Sequence, residues 1–154
     1  MKKILLIAAL FTTTLAAMAQ THVRNTKSQK EILNDRYTSG LFKNAEGTIF
    51  DLENENVQAY FNILDWLEGR VAGLQVFVSR NGVRVPVIRG SVATIYVDEM
   101  RMDASFLNSL SVNDIGMIKV IKGPFAGAIG NGGGGTIAIY TIRADEEEFD
   151  LNSD

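Results

Sequence analysis

The segment KGPFAGAIGNGGGG, residues 122–135, holds seven of the chain's fourteen glycines and lies between two β-branched apolar runs, Ile115 to Ile121 and Thr136 to Ile142. A strand enters it and a strand leaves it. Those flanks exclude two common uses of glycine. A flexible linker is not opened by Gly123-Pro124, nor followed by a run too apolar to lie outside a core. A phosphate cradle fails too. Residues 130–135 satisfy G-x-G-x-x-G by composition alone, whereas the dinucleotide fingerprint needs its last glycines to open a helix, and TIAIYTIR alternates like a strand. Lys122 precedes the glycines and no Gly-Lys-Ser/Thr closes them, so the phosphate-loop pattern is absent. The segment reads as a sharp reversal, poor in side chains, whose glycines permit positive φ and close backbone approach.

The first residues bound where such a fold operates. Lys2 and Lys3, the apolar run from Ile4 to Phe11 and the Ala17-Met18-Ala19 ending before Gln20 read as a secretion signal over residues 1–19. That run is too short to span a bilayer as a helix, and no later run reaches the length of a membrane span. The remaining residues are enough for one modest domain. The chain has no cysteine, so neither disulfides, thiolate metal sites nor a lipidated cysteine are available, and the exported domain is expected to hold together by packing. Loss of Lys2 and Lys3 takes the formal charge from −3 to −5. Much of that excess lies in residues 144–154, read as an acidic disordered tail, and an acidic surface argues against nucleic acid as partner.

Between signal and tail the chain divides into a polar lead-in arm, residues 20–55, and an α+β domain, residues 56–143. The arm is expected to be mobile or irregular, with one short helix from Ser28 to Tyr37. In the domain, Asn56 is expected to cap a helix carrying Val57, Tyr60, Phe61, Leu64 and Leu67 at three- and four-residue steps, ending between Glu68 and Val71. LQVFVSRNGVRVPVIRG reads as a hairpin turning at Asn81-Gly82, with Pro86 at an edge or bulge. Ala93 to Val97, Ile115 to Ile121 and Thr136 to Ile142 read as strands, with a short helix at Ala104 to Leu110. The fold class is α+β: a small mixed β-sheet with two packed helices.

Catalytic groupings are scarce. The only histidine, His22, has no histidine or thiolate partner for zinc and stands near the expected new N-terminus. Asp98 and Glu99 are adjacent strand-end residues that point to opposite faces, and turn geometry or capping accounts for them. No catalytic residue, metal or cofactor is expected.

Read in order, ILDWLEGRVAGLQV (63–76), VIRG (87–90), IYVDEM (95–100), VNDIGMIKVIKGPFAGAIGNGGGG (112–135) and TIAIYT (136–141) make a more specific signal. The series resembles the plug domain of TonB-dependent outer-membrane receptors, in the SusC-like variety of Bacteroidetes. That resemblance implies a small α+β domain seated in a barrel, which it blocks until substrate binds and TonB pulls from the periplasm. It makes Arg89 and Lys122 candidate contacts to carboxylates of a partner, and Gly90, Gly123, Pro124, Gly130, Gly132 and Gly135 the backbone positions of the motifs. Three positions depart from the usual pattern: Lys119 stands for a glutamate, Glu99 for the glycine of V-D-G, and Ile129-Gly130 for Tyr-Gly.

Because no barrel strands come after Arg143, the expectation is a free-standing, non-enzymatic plug-like module. Its partner is expected to be an outer-membrane or periplasmic protein, a TonB-dependent barrel among the candidates, met at the periplasmic face of the outer membrane without a membrane span of its own. The alternatives are the plug half of a split or truncated transporter, and a small periplasmic ligand- or nucleotide-binding enzyme.

Overall fold

The two runs that flank the glycine loop pair antiparallel, and each lies inside a sheet rather than at its edge. The computed structural model describes residues 27–123, 126, 128 and 133–142. The expected signal, His22, the acidic tail and the motif positions Pro124, Gly130 and Gly132 fall outside them. In chain order the elements are helix α1 (Gln29–Tyr37), strand β1 (Thr48–Asp51), helix α2 (Ile63–Leu67), strands β2 (Leu74–Val78), β3 (Arg84–Ile88), β4 (Ser91–Val92), β5 (Thr94–Val97) and β6 (Met100–Met102), 3-10 turns at Ala104–Asn108 and Val112–Asp114, then β7 (Ile115–Ile121) and β8 (Thr136–Thr141). They form a five-stranded sheet in the order β1-β7-β8-β5-β6 and a three-stranded sheet in the order β2-β3-β4. Only the β5–β8 pair of the larger sheet is parallel, so the sheet is mixed, as the α+β reading expects.

β7 and β8 are apolar at nearly every position because both faces of the sheet are covered. Ile115, Ile118, Val120, Ile137 and Ile139 point to one side, where Ile63, Leu64, Trp66 and Leu67 of α2 join them. Met117, Ile121, Ala138 and Tyr140 point to the other, against Leu33, Tyr37 and Phe42. A bulge between Ile115 and Met117 lets β7 change the side it presents. Each large side chain fully buried here contributes about 1.5–3 kcal/mol.

Three expectations change. The lead-in, read as mobile or irregular, carries α1 and an apolar trio that covers the second face. α1 starts where Ser28 Oγ accepts the Glu31 amide and the Glu31 carboxylate accepts the Ser28 amide, a reciprocal cap. Its Tyr37 passes over Gly116, where a Cβ would stand 2.1 Å from the tyrosine hydroxyl. The helix expected from Asn56 begins at Asn62 instead. Asn62 Oδ1 takes the Leu64 amide at 3.0 Å, while Asn62 Nδ2 donates to Leu107 O and Asn108 Oδ1, so the buried amide fixes where the helix starts. Phe61, counted in the apolar stripe, is 96% exposed. Pro86 lies in β3, the middle strand of its sheet, rather than at an edge. Val76 opposite it sends its amide outward to Glu68 Oε1, and β4 pairs only with Val87 and Ile88, so the missing Pro86 donor interrupts no complete ladder. The hairpin itself forms, with only Gly82 of its turn at positive φ.

Candidate partner-contact site

The VIRG motif is a two-residue hairpin turn between β3 and β4. Ile88 pairs with Ser91, and Arg89 (φ 52°) and Gly90 (φ 80°) are both left-handed, the backbone of a type I′ turn. Glycine suits that conformation; arginine stores strain in it. The Arg89 amide donates to Gly73 O at 3.2 Å, which leaves its guanidinium exposed and without a hydrogen bond or ion pair among the described residues.

Lys122 arrives at the same place from β7. Its Nζ donates to Ala72 O at 2.6 Å, one residue before the carbonyl that Arg89 uses. The two candidates named by resemblance are thus brought together around the exit of the GRVAG segment. They differ in availability: the Lys122 ammonium is engaged on a backbone carbonyl and the Arg89 guanidinium is not.

The last residues of the glycine loop, Gly134 and Gly135, lie at this end. Gly135 has φ 84° and its carbonyl accepts the Thr94 amide at 3.0 Å, which aligns β8 beside β5. At Gly134 a Cβ would lie 2.3 Å from Val92 O and 2.5 Å from Ser91 O, so the loop is pressed against the backbone just past the VIRG turn. Gly123 borders open space. A strand begins directly after Gly135, so the helix that a dinucleotide fingerprint places there is a strand instead. Among the described residues no three His, Cys, Asp or Glu side chains are grouped to hold a metal ion.

A second polar constellation escaped the sequence reading. Asp98 (φ 47°) and Glu99 (φ 65°) form another left-handed two-residue turn, between β5 and β6. Asp98 accepts the Thr141 amide and hydroxyl at 2.9 and 2.8 Å, tying the turn to the end of β8. The Glu99 carboxylate accepts the amides of Ser39, Gly40 and Leu41 at 3.1, 3.1 and 3.2 Å. On β7, Lys119 is 2% exposed and its Nζ donates to Asn34 Oδ1 at 2.6 Å and Phe42 O at 2.7 Å. Burial pulls the Lys119 ammonium below the ordinary lysine value. The signal was present as two residue types unusual for their motifs; their partners lie 58 to 85 residues away in sequence, beyond the reach of local pattern.

Burial pushes the Glu99 carboxyl up, but the amides of Gly40, Leu41 and Ser39 together outweigh it and hold its pKa below the ordinary 4.5. A carboxyl depressed on folding contributes stability that is present above its unfolded pKa and lost as pH falls through its folded one. The stability difference between the wild-type chain and Glu99→Gln is therefore expected to hold steady above pH 4.5 and to shrink below it. Urea denaturation at neutral pH and at successively lower pH measures that gap, and a gap that widens on acidification contradicts the assignment.

Residues 45–137, more than half of the chain, match the TonB-dependent Receptor Plug Domain family. The chain belongs to that family. The plug fold is also found in solved structures. The RagAB peptide importer in its open-open state superposes with a TM-score of 0.54 at 24% identity, over 64% of this chain and 12% of that one. The siderophore receptor PirA from Acinetobacter baumannii gives 0.55 at 21% identity, over 71% and 19%. A mutant ferric enterobactin receptor, PfeA from Pseudomonas aeruginosa, in complex with enterobactin gives 0.52 at 23%, over 64% and 18%. The plug domain thus spans less than a fifth of the length of these receptor chains. No curated protein matches the chain. Plug domains are components of transport systems, and among the described residues no helix is long and apolar enough to cross a membrane.

Proposed function

We propose that the chain is a non-enzymatic plug module of the SusC-like variety that works by protein contacts at the periplasmic side of the outer membrane. Its contact end is the one that gathers Arg89, Lys122 and the glycine loop. The observation that carries this reading is Arg89 itself. A hairpin turn that served only the fold would be less strained with asparagine or aspartate at that position. Here a bulky cation sits in left-handed backbone with its guanidinium directed to solvent. Strain retained at an exposed charged residue is a pointer to a contact made outside the domain. A carboxylate on a barrel wall is the natural complement, since guanidinium binds it in bidentate fashion. The same placement serves substrate uptake through a TonB-dependent barrel, with the module as its movable block.

The test is site-specific photo-cross-linking of the full chain in outer-membrane fractions. A cross-linker at position 89 is expected to capture an outer-membrane barrel, and one at Asn113, at the opposite end of β7, to capture none. Equal capture from both positions, or none from position 89, overturns the proposal. The peptide captured also reports whether the barrel is carried on the same polypeptide or another.

A further inference from the structure

Two side chains occupy settings that their own elements disfavour. Glu99 holds φ 65° in the β5–β6 turn, where glycine is free of strain. Lys119 buries an ammonium in β7, a strand flanked on both sides, and among the described residues no carboxylate pairs with it. Both costs are offset by one segment. Glu99 gathers the amides of residues 39–41, and Lys119 gathers Asn34 Oδ1 with the carbonyls of Phe42 and Lys43. An anion takes the N–H groups of one short turn, and a cation takes the carbonyls just beyond it.

The segment so held joins neither sheet. Among the described residues its backbone–backbone bonds are local: Ile32 to Ser28, Thr38 to Asn34, Lys43 to Gly40 and Ala45 to Phe42. Its described attachments are the bonds to Glu99 and Lys119, the bonds of Tyr37 and Arg36 to Glu53 just beyond β1, and the packing of Leu33, Tyr37 and Phe42. Lifting it away breaks no ladder bond, so its opening free energy is separable from that of the strands beneath. The segment also precedes residue 45, where the family match begins.

We propose that residues 28–44 are a strap, clasped by Glu99 and Lys119, that opens as a unit from an intact sheet and uncovers an apolar face made by Tyr96, Met117, Ile121, Ala138 and Tyr140.

Amide hydrogen exchange on the full chain tests this with variants whose alternatives differ in sign. Glu99→Gly removes strain from the turn, so a Glu99 that serves only its turn gives a protein protected as well as or better than wild type. A clasp gives the opposite local result. Exchange over residues 28–44 is expected to quicken by about tenfold or more, from the loss of charge-assisted hydrogen bonds. Residues 115–121 and 136–141 are expected to keep wild-type rates, and an apolar dye to gain fluorescence. Lys119→Met, which removes the cation without leaving a buried charge, is expected to give the same local pattern. Unchanged exchange over 28–44 in Glu99→Gly overturns the strap, as does equal loss of protection in the strands.

Discussion

Gly134→Ala is expected to be among the most damaging single-methyl additions in this domain, while Gly133→Ala beside it is tolerated. A Cβ at 134 stands 2.3 Å from Val92 O, 2.5 Å from Ser91 O and 2.6 Å from the Val92 carbonyl carbon. All three are backbone atoms, so no rotamer change relieves the overlap. Either the loop or β4 has to move, and β4 is only two residues long with the strained Arg89-Gly90 turn before it. Forced overpacking of this kind costs about 3 kcal/mol, which in a domain this size lowers the melting midpoint by roughly 10 °C. At Gly133 a Cβ meets nothing within 4 Å, and Gly133→Ala is expected to fall within about 0.5 kcal/mol of wild type. Thermal and urea melts of the two variants decide the matter. Equal effects mean that the loop does not press on β4.

Lys119→Glu is expected to be equally severe, by an electrostatic route. The ammonium is directed at three oxygens, Asn34 Oδ1, Phe42 O and Lys43 O at 2.6, 2.7 and 3.5 Å. A carboxylate in that place faces acceptors with no proton to give them, and the burial that already disfavours the lysine's charge disfavours the glutamate's too. An uncompensated buried charge costs about 3–5 kcal/mol. Part of that cost is avoidable by releasing residues 28–44 and letting water reach the carboxylate. The expected readout is therefore a lowered urea midpoint together with new tryptic cleavage at Lys30, Arg36 and Lys43, whereas Lys119→Met gives a smaller loss. Retention of both stability and trypsin resistance in Lys119→Glu contradicts the buried geometry.

Lys119→Glu and Glu99→Gly each install the residue that the motif resemblance leads one to expect at that position. Each departure looked like a mere mismatch along the chain. In three dimensions both face the same segment, and that common partner accounts for both.

Legibility in the sequence tracks the range of the forces concerned. β5, β7 and β8 of the larger sheet appeared as β-branched runs, because burial on both faces leaves an apolar residue at nearly every position, whereas the partly exposed edge strands β1 and β6 carry no such run and were not read as strands. The β2–β3 hairpin was legible from Gly82, and α1 from the polar run starting at Ser28. The start of α2 was misplaced because Asn62 derives its capping position partly from Leu107 and Asn108, 45 and 46 residues onward. The polar lead-in read as mobile or irregular because its apolar residues are sparse; Leu33, Tyr37 and Phe42 are buried in the second core cluster, with Ala45 and Ile49 packed against it. Arg89 and Lys122 were visible by motif, yet their joint placement around Ala72 and Gly73 depends on strands far apart in the chain.

The class of fold and the antiparallel return of the chain between β7 and β8 were legible in short windows of sequence, since periodicity and propensity are local properties. That Gly134 is pressed on β4, that Lys122 is engaged while Arg89 is exposed, and that Glu99 and Lys119 grip one segment emerges from the assembled sheets alone. The physical reason is that steric overlap and hydrogen bonding act over a few ångströms between atoms whose separation along the chain carries no trace of their contact.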